Sequence, residues 1–266
     1  AIDDAGGWSD DTLTEDLDLS FRAQLKGWQS LYLAEIIVPG ELPPQLAAYR
    51  QQQARWAKGG SQSFRKLALS LWRSDLSLSI KLMATHHLIQ YLPHLLMLIM
   101  LLLSPILIMS DSLSSIPLAP LGLIGLIPPI MYIVSQQAQG KGWQKRLLAF
   151  PLLLLIGTGL IWQNALAVLS GFIFKKGEFR RTPKFVSQWQ SSNYTLRSQI
   201  AILVQLSLMI YSAWGVWIAW YQEPALVPYF VVHVLSFATV ALWDIRDQWA
   251  VQGVKSPKLL PESGND

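Results

Sequence analysis

Four side chains stand out for their type and spacing: a carboxylate, an amide, a guanidinium and an indole. Thr12-Leu-Thr-Glu15 has capping-box spacing, in which the Thr12 hydroxyl and the Glu15 carboxylate satisfy the first free amides of a helix. Glu15 at that place also opposes the positive helix end. Asp16 falls one residue deeper, beside Leu17 at the edge of an apolar stripe, where a buried carboxylate could act as a general base. Further on, Gln52, Arg55 and Trp56 are spaced i, i+3, i+4, which predicts one shared face on a helix over about 45–58. A guanidinium fork suits a diphosphate through charge-assisted hydrogen bonds. A Trp ring suits the C–H face of a sugar. The same residues also fit an amphipathic surface helix whose Trp anchors at a membrane interface.

The elements that must carry these residues are short. Leu17, Phe21 and Leu25 recur every four residues and predict an amphipathic helix ending at Gly27. Residues 30–34 are a strand candidate, and Val38-Pro-Gly-Glu-Leu-Pro-Pro44 reads as a turn-rich connection with Pro44 starting the next helix.

Most of the remaining chain is apolar. Of 266 residues, 52% are hydrophobic and 14% charged, with 12 Trp and no Cys. A soluble domain carries about 25% charged residues. This composition excludes a disordered chain and a basic nucleic-acid binder, and the missing thiols exclude a disulfide scaffold, a thiolate zinc site and a cysteine nucleophile. Stretches at about 89–110, 116–138, 198–221 and 225–245 meet the need for roughly 20 apolar residues per membrane span.

Charge placement orients them. Of the 21 Lys and Arg, nine precede residue 89, three lie in 139–146, six in 175–197 and three after 245, while the loops 111–115 and 222–224 have none. The positive-inside rule puts those two loops outside and all else in the cytoplasm. A fifth apolar stretch, 147–174, has basic clusters at both ends, so the rule favours an interfacial or re-entrant helix over a crossing. Gly157, Thr158, Gly159, Gln163 and Asn164 in its middle suit a bend. The spans are expected to hold His94 and His233 but no carboxylate or Lys, which argues against a proton-relay transporter.

Gly6-Gly-Trp8, Thr14-Glu-Asp16, Gly27-Trp28 and Gln52-Gln-Ala-Arg-Trp56, followed by membrane spans, resemble the membrane-embedded family 2 glycosyltransferases, which include cellulose synthases and cellulose-synthase-like mannan and glucan synthases. Phe179-Arg-Arg-Thr182-Pro-Lys184 is similar to the gating-loop motif of that family. The resemblance covers 1–85 closely and the rest by topology. It implies Asp16 as general base with Glu15 beside it in the substrate site. Gln52 and Arg55 would lie on the nucleotide diphosphate, Trp56 on the acceptor sugar, and Phe179, Thr182 and Lys184 in a loop over the donor. It implies inversion at the anomeric carbon, a UDP-glucose or GDP-mannose donor, a glycan or lipid acceptor, and magnesium or manganese in the complete enzyme.

The donor-binding half of that family, with its metal-binding Asp-x-Asp, would precede Gly6, and Asp3-Asp4 is not that motif. Ala1 opens an acidic, glycine-rich stretch without a signal-peptide pattern. The expectation is a mainly α membrane protein: the C-terminal remnant of a GT-A-type α/β catalytic domain (1–85), a transmembrane pair (86–138), an interfacial helix and gating-type loop (139–197), a second pair (198–245) and a disordered tail (246–266). This part alone is expected to be inactive, in the plasma membrane with its catalytic side cytoplasmic. A non-catalytic anchor or a transport or assembly subunit is the alternative.

Overall fold

The computed structural model describes residues 1–33, 35–113, 125–174 and 199–252, with backbone only at Val251 and Gln252. Helix α1 spans Glu15–Leu25 and α2 Leu46–Arg73; α3 (Leu78–Leu88) leads into α4 (Leu92–Met109). Then follow α5 (Ile127–Ala138), α6 (Trp143–Leu147), α7 (Phe150–Gly159), α8 (Ile161–Ile173), α9 (Gln199–Gln222) and α10 (Val227–Gln252). No strand occurs among the described residues, so the strand expected at 30–34 is absent over 30–33. A strand needs a neighbour to take its backbone hydrogen bonds. Here Leu31, Tyr32, Ile37 and Val38 stay exposed with no sheet beside them.

Two packed regions result. In the head, the stripe of α1 closes on α2 and α3: Phe21, Leu67, Leu71 and Leu88 are buried, with Leu17 and Leu25 packed around them. In the apolar bundle, Leu101 and Ile108 of α4, Ile161 of α8, Leu208 and Ile218 of α9, and Phe230 and Phe237 of α10 form one core. Leu46 at the start of α2 meets Leu160 and Val240 in a third, smaller cluster that joins head to bundle.

Helices α4 and α9, together with the stretch Pro224–Ala250, are long and apolar enough to cross a membrane. The second expected span is only partly described, as the 12-residue α5. The segment 143–173 passes the same test only as a bent pair, with 51° between its halves. The expected bend falls at Leu160, which closes α7 and opens α8. Gly159 there lies so close to α10 that an added Cβ would stand 2.8 Å from the Ser236 carbonyl. The Gly159 carbonyl accepts a hydrogen bond from the buried Gln205 amide of α9 at 3.0 Å. Neighbouring helices thus satisfy the backbone that the break sets free.

Several local expectations are corrected. Helix α2 runs fifteen residues past the expected end at 58, through Gly59 and Gly60. These glycines are contact points rather than stops: a Cβ on Gly59 would stand 2.5 Å from the Thr14 side chain, and one on Gly60 would stand 2.8 Å from the Leu88 carbonyl. Pro44 lies before the N-cap Gln45, outside the helix. The capping box does not form, because α1 starts at Glu15 with Thr14 as N-cap and no side-chain cap bond. The Thr14 hydroxyl faces Ser63 Oγ at 3.4 Å instead. At the other end α10 continues to Gln252, past the tail boundary set at 246, because Asp244 and Asp247 are anchored on α2. Asp244 is also a buried carboxylate within a segment expected to hold none.

Candidate active site

The burial expected of Asp16 is not found. Asp16 is exposed, and its Oδ1 accepts the Leu17 amide at 2.8 Å. Asp18 is the buried one, with no exposed side-chain surface, and it pairs with Arg22 at 2.8 Å and Lys66 at 3.0 Å. Helical phase explains this, since Asp18 points to the α2 side of α1 and Asp16 away from it. Arg22 goes on to hold the Ala5 and Gly7 carbonyls, so Asp18 ties the Gly6-Gly-Trp8 segment to α1. Lys66 also bonds Asp11 at 2.9 Å. Burial disfavours charge on Asp11, yet the hydrogen bonds from Ser9 and Lys66 outweigh it and hold its carboxyl below the ordinary range.

The turn that carries Asp16 is docked on α2. The Leu13 amide donates to Gln62 Oε1 at 3.0 Å, and Thr14 fills the notch at Gly59, one turn beyond Arg55. The same Gln62 side chain donates from Nε2 to the Phe174 carbonyl at 3.3 Å, and Arg65 donates to the Phe172 carbonyl at 2.7 Å. These donors satisfy the free carbonyls at the end of α8 and suit its negative dipole end. Gly171 lets the two helices meet, with an added Cβ only 2.5 Å from the Lys58 carbonyl. Phe174 is the last described residue before 175–198. Phe179, Thr182 and Lys184 therefore lie outside the described residues.

Gln52, Arg55 and Trp56 do not share one recess. Gln52 and Trp56 line a cavity of about 490 Å³ with Pro44, Tyr49, Ile156 and Trp243. Arg55 lies round the helix in a smaller cleft of about 210 Å³ with Leu13, Gln51, Lys58 and Ser170. On a helix, i and i+4 differ by about 40° whereas i and i+3 differ by about 60° in the opposite sense, so with α8 packed on α2 Arg55 faces α8 while Gln52 and Trp56 face the cavity towards α7. Glu15 opens α1 half-buried, next to the docked Leu13–Thr14 turn. Tyr49 was legible as one turn before Gln52. Trp243 was not, because it sits nearly two hundred residues away and reads as interfacial aromatic belt. Partial burial raises the Tyr49 phenol above its ordinary value of 10, which keeps it a hydrogen-bond donor.

Among the described residues no three His, Asp or Glu side chains converge on a point that could hold a metal ion. The ligands of the magnesium or manganese of the complete enzyme are expected ahead of Gly6, not among these residues.

Helix α2 thus carries an aromatic cavity and a basic cleft, with an exposed carboxylate docked on its flank and apolar helices packed against it. The profile of "Glycosyl transferase family group 2" matches residues 1–161, more than half of the sequence, and the chain belongs to that family. Over 71 residues it is 54% identical to a probable glucomannan 4-beta-mannosyltransferase of Oryza sativa subsp. japonica, covering 27% of this chain and 13% of the relative. It is 51% identical over 71 residues to glucomannan 4-beta-mannosyltransferase 9 of Arabidopsis thaliana, with the same shares covered. The match thus spans about one-eighth of those relatives' length. No solved structure matches.

Proposed function

We propose that this chain is the acceptor-side and membrane portion of an inverting hexosyltransferase that extends a β-linked polysaccharide at the cytoplasmic face of the plasma membrane. The observation that carries the reading is the docking of the Thr14–Asp16 turn into the Gly59 notch, beside the helix of Gln52, Arg55 and Trp56. In the reaction the exposed Asp16 carboxylate takes the proton of an acceptor hydroxyl as its oxygen attacks the anomeric carbon. The bond from that carbon to the diphosphate breaks, and the diphosphate leaves with the electron pair. Arg55, with Lys58 in the same cleft, meets the diphosphate charge. Gln52 moves to the acceptor side with Trp56, whose ring stacks on the sugar. Phe179, Thr182 and Lys184 would close over the donor.

The names of the relatives support a mannosyl donor, hence GDP-mannose over UDP-glucose, and a glycan over a lipid acceptor. The test is Asp16→Asn in the full-length protein in membranes. Sugar transfer is abolished while nucleotide-sugar binding persists. Near-normal turnover in that variant overturns the base assignment.

A further inference from the structure

The N-terminus of α2 has no cap of its own. Gln45 stands at the N-cap position in extended backbone geometry and makes no side-chain cap bond there. The Leu46 amide, which would otherwise be an orphan, donates to Asp247 Oδ2 at 3.0 Å, across 201 residues of sequence. One turn earlier on α10, Asp244 pairs with Arg50, and both side chains are buried, at 4% and 6% exposure. Two carboxylates of the last helix therefore grip the first turns of the helix that carries Gln52, Arg55 and Trp56.

The grip coincides with the cavity. Tyr49 and Trp243 line its two sides, one from α2 and one from α10. Each is the immediate chain neighbour of a clamp residue: Tyr49 of Arg50, and Trp243 of Asp244. The Trp243 ring is itself held, with the Arg246 guanidinium 5.3 Å from its centroid. A buried ion pair is a poor source of net stability but fixes register well. A buried charge in this place is costly, so its use here calls for a geometric reason.

We propose that Asp247 and the Arg50–Asp244 pair are positioning residues that set the aperture between Tyr49 and Trp56 on α2 and Trp243 on α10, and thereby the fit of the acceptor sugar. The proposal rests on the reading of this cavity as the acceptor site. A structural brace alone would lower the amount of folded protein and leave the kinetics of the remainder unchanged. A positioning device moves the acceptor KM and leaves the donor KM in place.

The experiment uses the full-length protein in membranes, with Asp247→Ala and Asp247→Asn compared. Initial rates are measured against a short β-linked manno-oligosaccharide and, separately, against the nucleotide sugar; amide exchange is followed at 46–49. Asn caps a helix as well as Asp does, whereas Ala does not. The expected result is an acceptor KM raised about tenfold in Asp247→Ala, an unchanged donor KM, faster exchange at 46–49, and near-complete retention in Asp247→Asn. Asp244→Asn, which keeps a neutral acceptor for Arg50 but removes its counter-charge, shifts the acceptor KM in the same direction at a lower yield of folded protein. Faster exchange with an unchanged acceptor KM overturns the proposal, as does native exchange in Asp247→Ala. Trp56→Ala with an unchanged acceptor KM overturns the acceptor reading itself, an outcome that the Asp247 pair does not produce.

Discussion

Thr14 sits in a notch that exists only because residue 59 is glycine. A Cβ there would stand 2.5 Å from both Thr14 Oγ1 and Cγ2, so the two segments meet without any intervening side chain. This contact sets how far the carboxylate-bearing turn lies from the helix of Arg55 and Trp56.

Gly59→Ala is therefore expected to displace the turn. Overpacking of this kind costs about 1–3 kcal/mol. The full-length variant should still be inserted and folded, yet lose most of its transfer activity. Equal losses of folded protein and activity would show that the notch serves stability alone.

Asp16 and Asp18 should separate cleanly when each is replaced by Asn. Asp18 is fully buried between Arg22 and Lys66, and breaking such a pair costs about 3–5 kcal/mol. Asp18→Asn should lower thermal stability and speed exchange at 5–8, the segment that Arg22 holds. Asp16→Asn should leave stability within about 0.5 kcal/mol, as for an exposed position. A thermal melt of both variants beside an activity assay checks the contrast.

Gln62 joins the turn before α1 to the end of α8 with its two amide ends. Gln62→Glu keeps the acceptor for Leu13 but loses the donor to Phe174 and sets a negative charge at a helix C-terminus. Exchange should rise at the end of α8 and stay native at Leu13. A uniform rise at both places would mean that the two bonds do not act separately.

The head has a directional acid response. Hydrogen bonds from Trp28 and then Lys26 hold Asp4 below its ordinary value of 3.8, and Asp11 is depressed despite its partial burial. A depressed carboxyl contributes stability that is complete above the unfolded value and is lost as pH falls through the folded one. Attachment of residues 4–11 should thus be constant from pH 7 to 5 and weaken only below 3.8. Amide exchange at 5–7, corrected for intrinsic rates, reads this, and Asp11→Asn should flatten part of the response.

The break between α7 and α8 depends on Gln205. Replacing it with Leu leaves the Gly159 carbonyl without its partner in an apolar bundle, a cost of about 1–3 kcal/mol. Gln205→Leu should lower the melting temperature, whereas Gln205→Asn, one methylene shorter, should do so nearly as much. A native melt in either variant would show that the carbonyl finds another donor.

What could be read from the residues in order was whatever depends on local pattern. The stripe Leu17, Phe21, Leu25, the stop at Gly27, the apolar stretches of α4, α9 and α10, and the bend near Gly159 all follow from periodicity, length and the few residue types that interrupt them. The placing of Gln52, Arg55 and Trp56 on one helix was legible by spacing, and Tyr49 could have joined them in the same way. Four decisions belonged to the tertiary structure. Gly59 and Gly60 read as a helix end but are close approaches, because only a partner reveals why a side chain is missing. Asp18, not Asp16, is the buried carboxylate, because helical phase against α2 decides which side is dry. Gln52 and Arg55 part company because α8 packs on the Arg55 side of α2 while Gln52 faces the cavity lined by α7 and α10. Asp244 and Asp247, written as the end of a span and the start of a tail, become the ion pair and the cap of a helix two hundred residues away. A one-dimensional pattern carries the preference of each residue for water or for oil, but the partner that satisfies a buried charge or a bare amide is a long-range contact, and only the packed chain selects it.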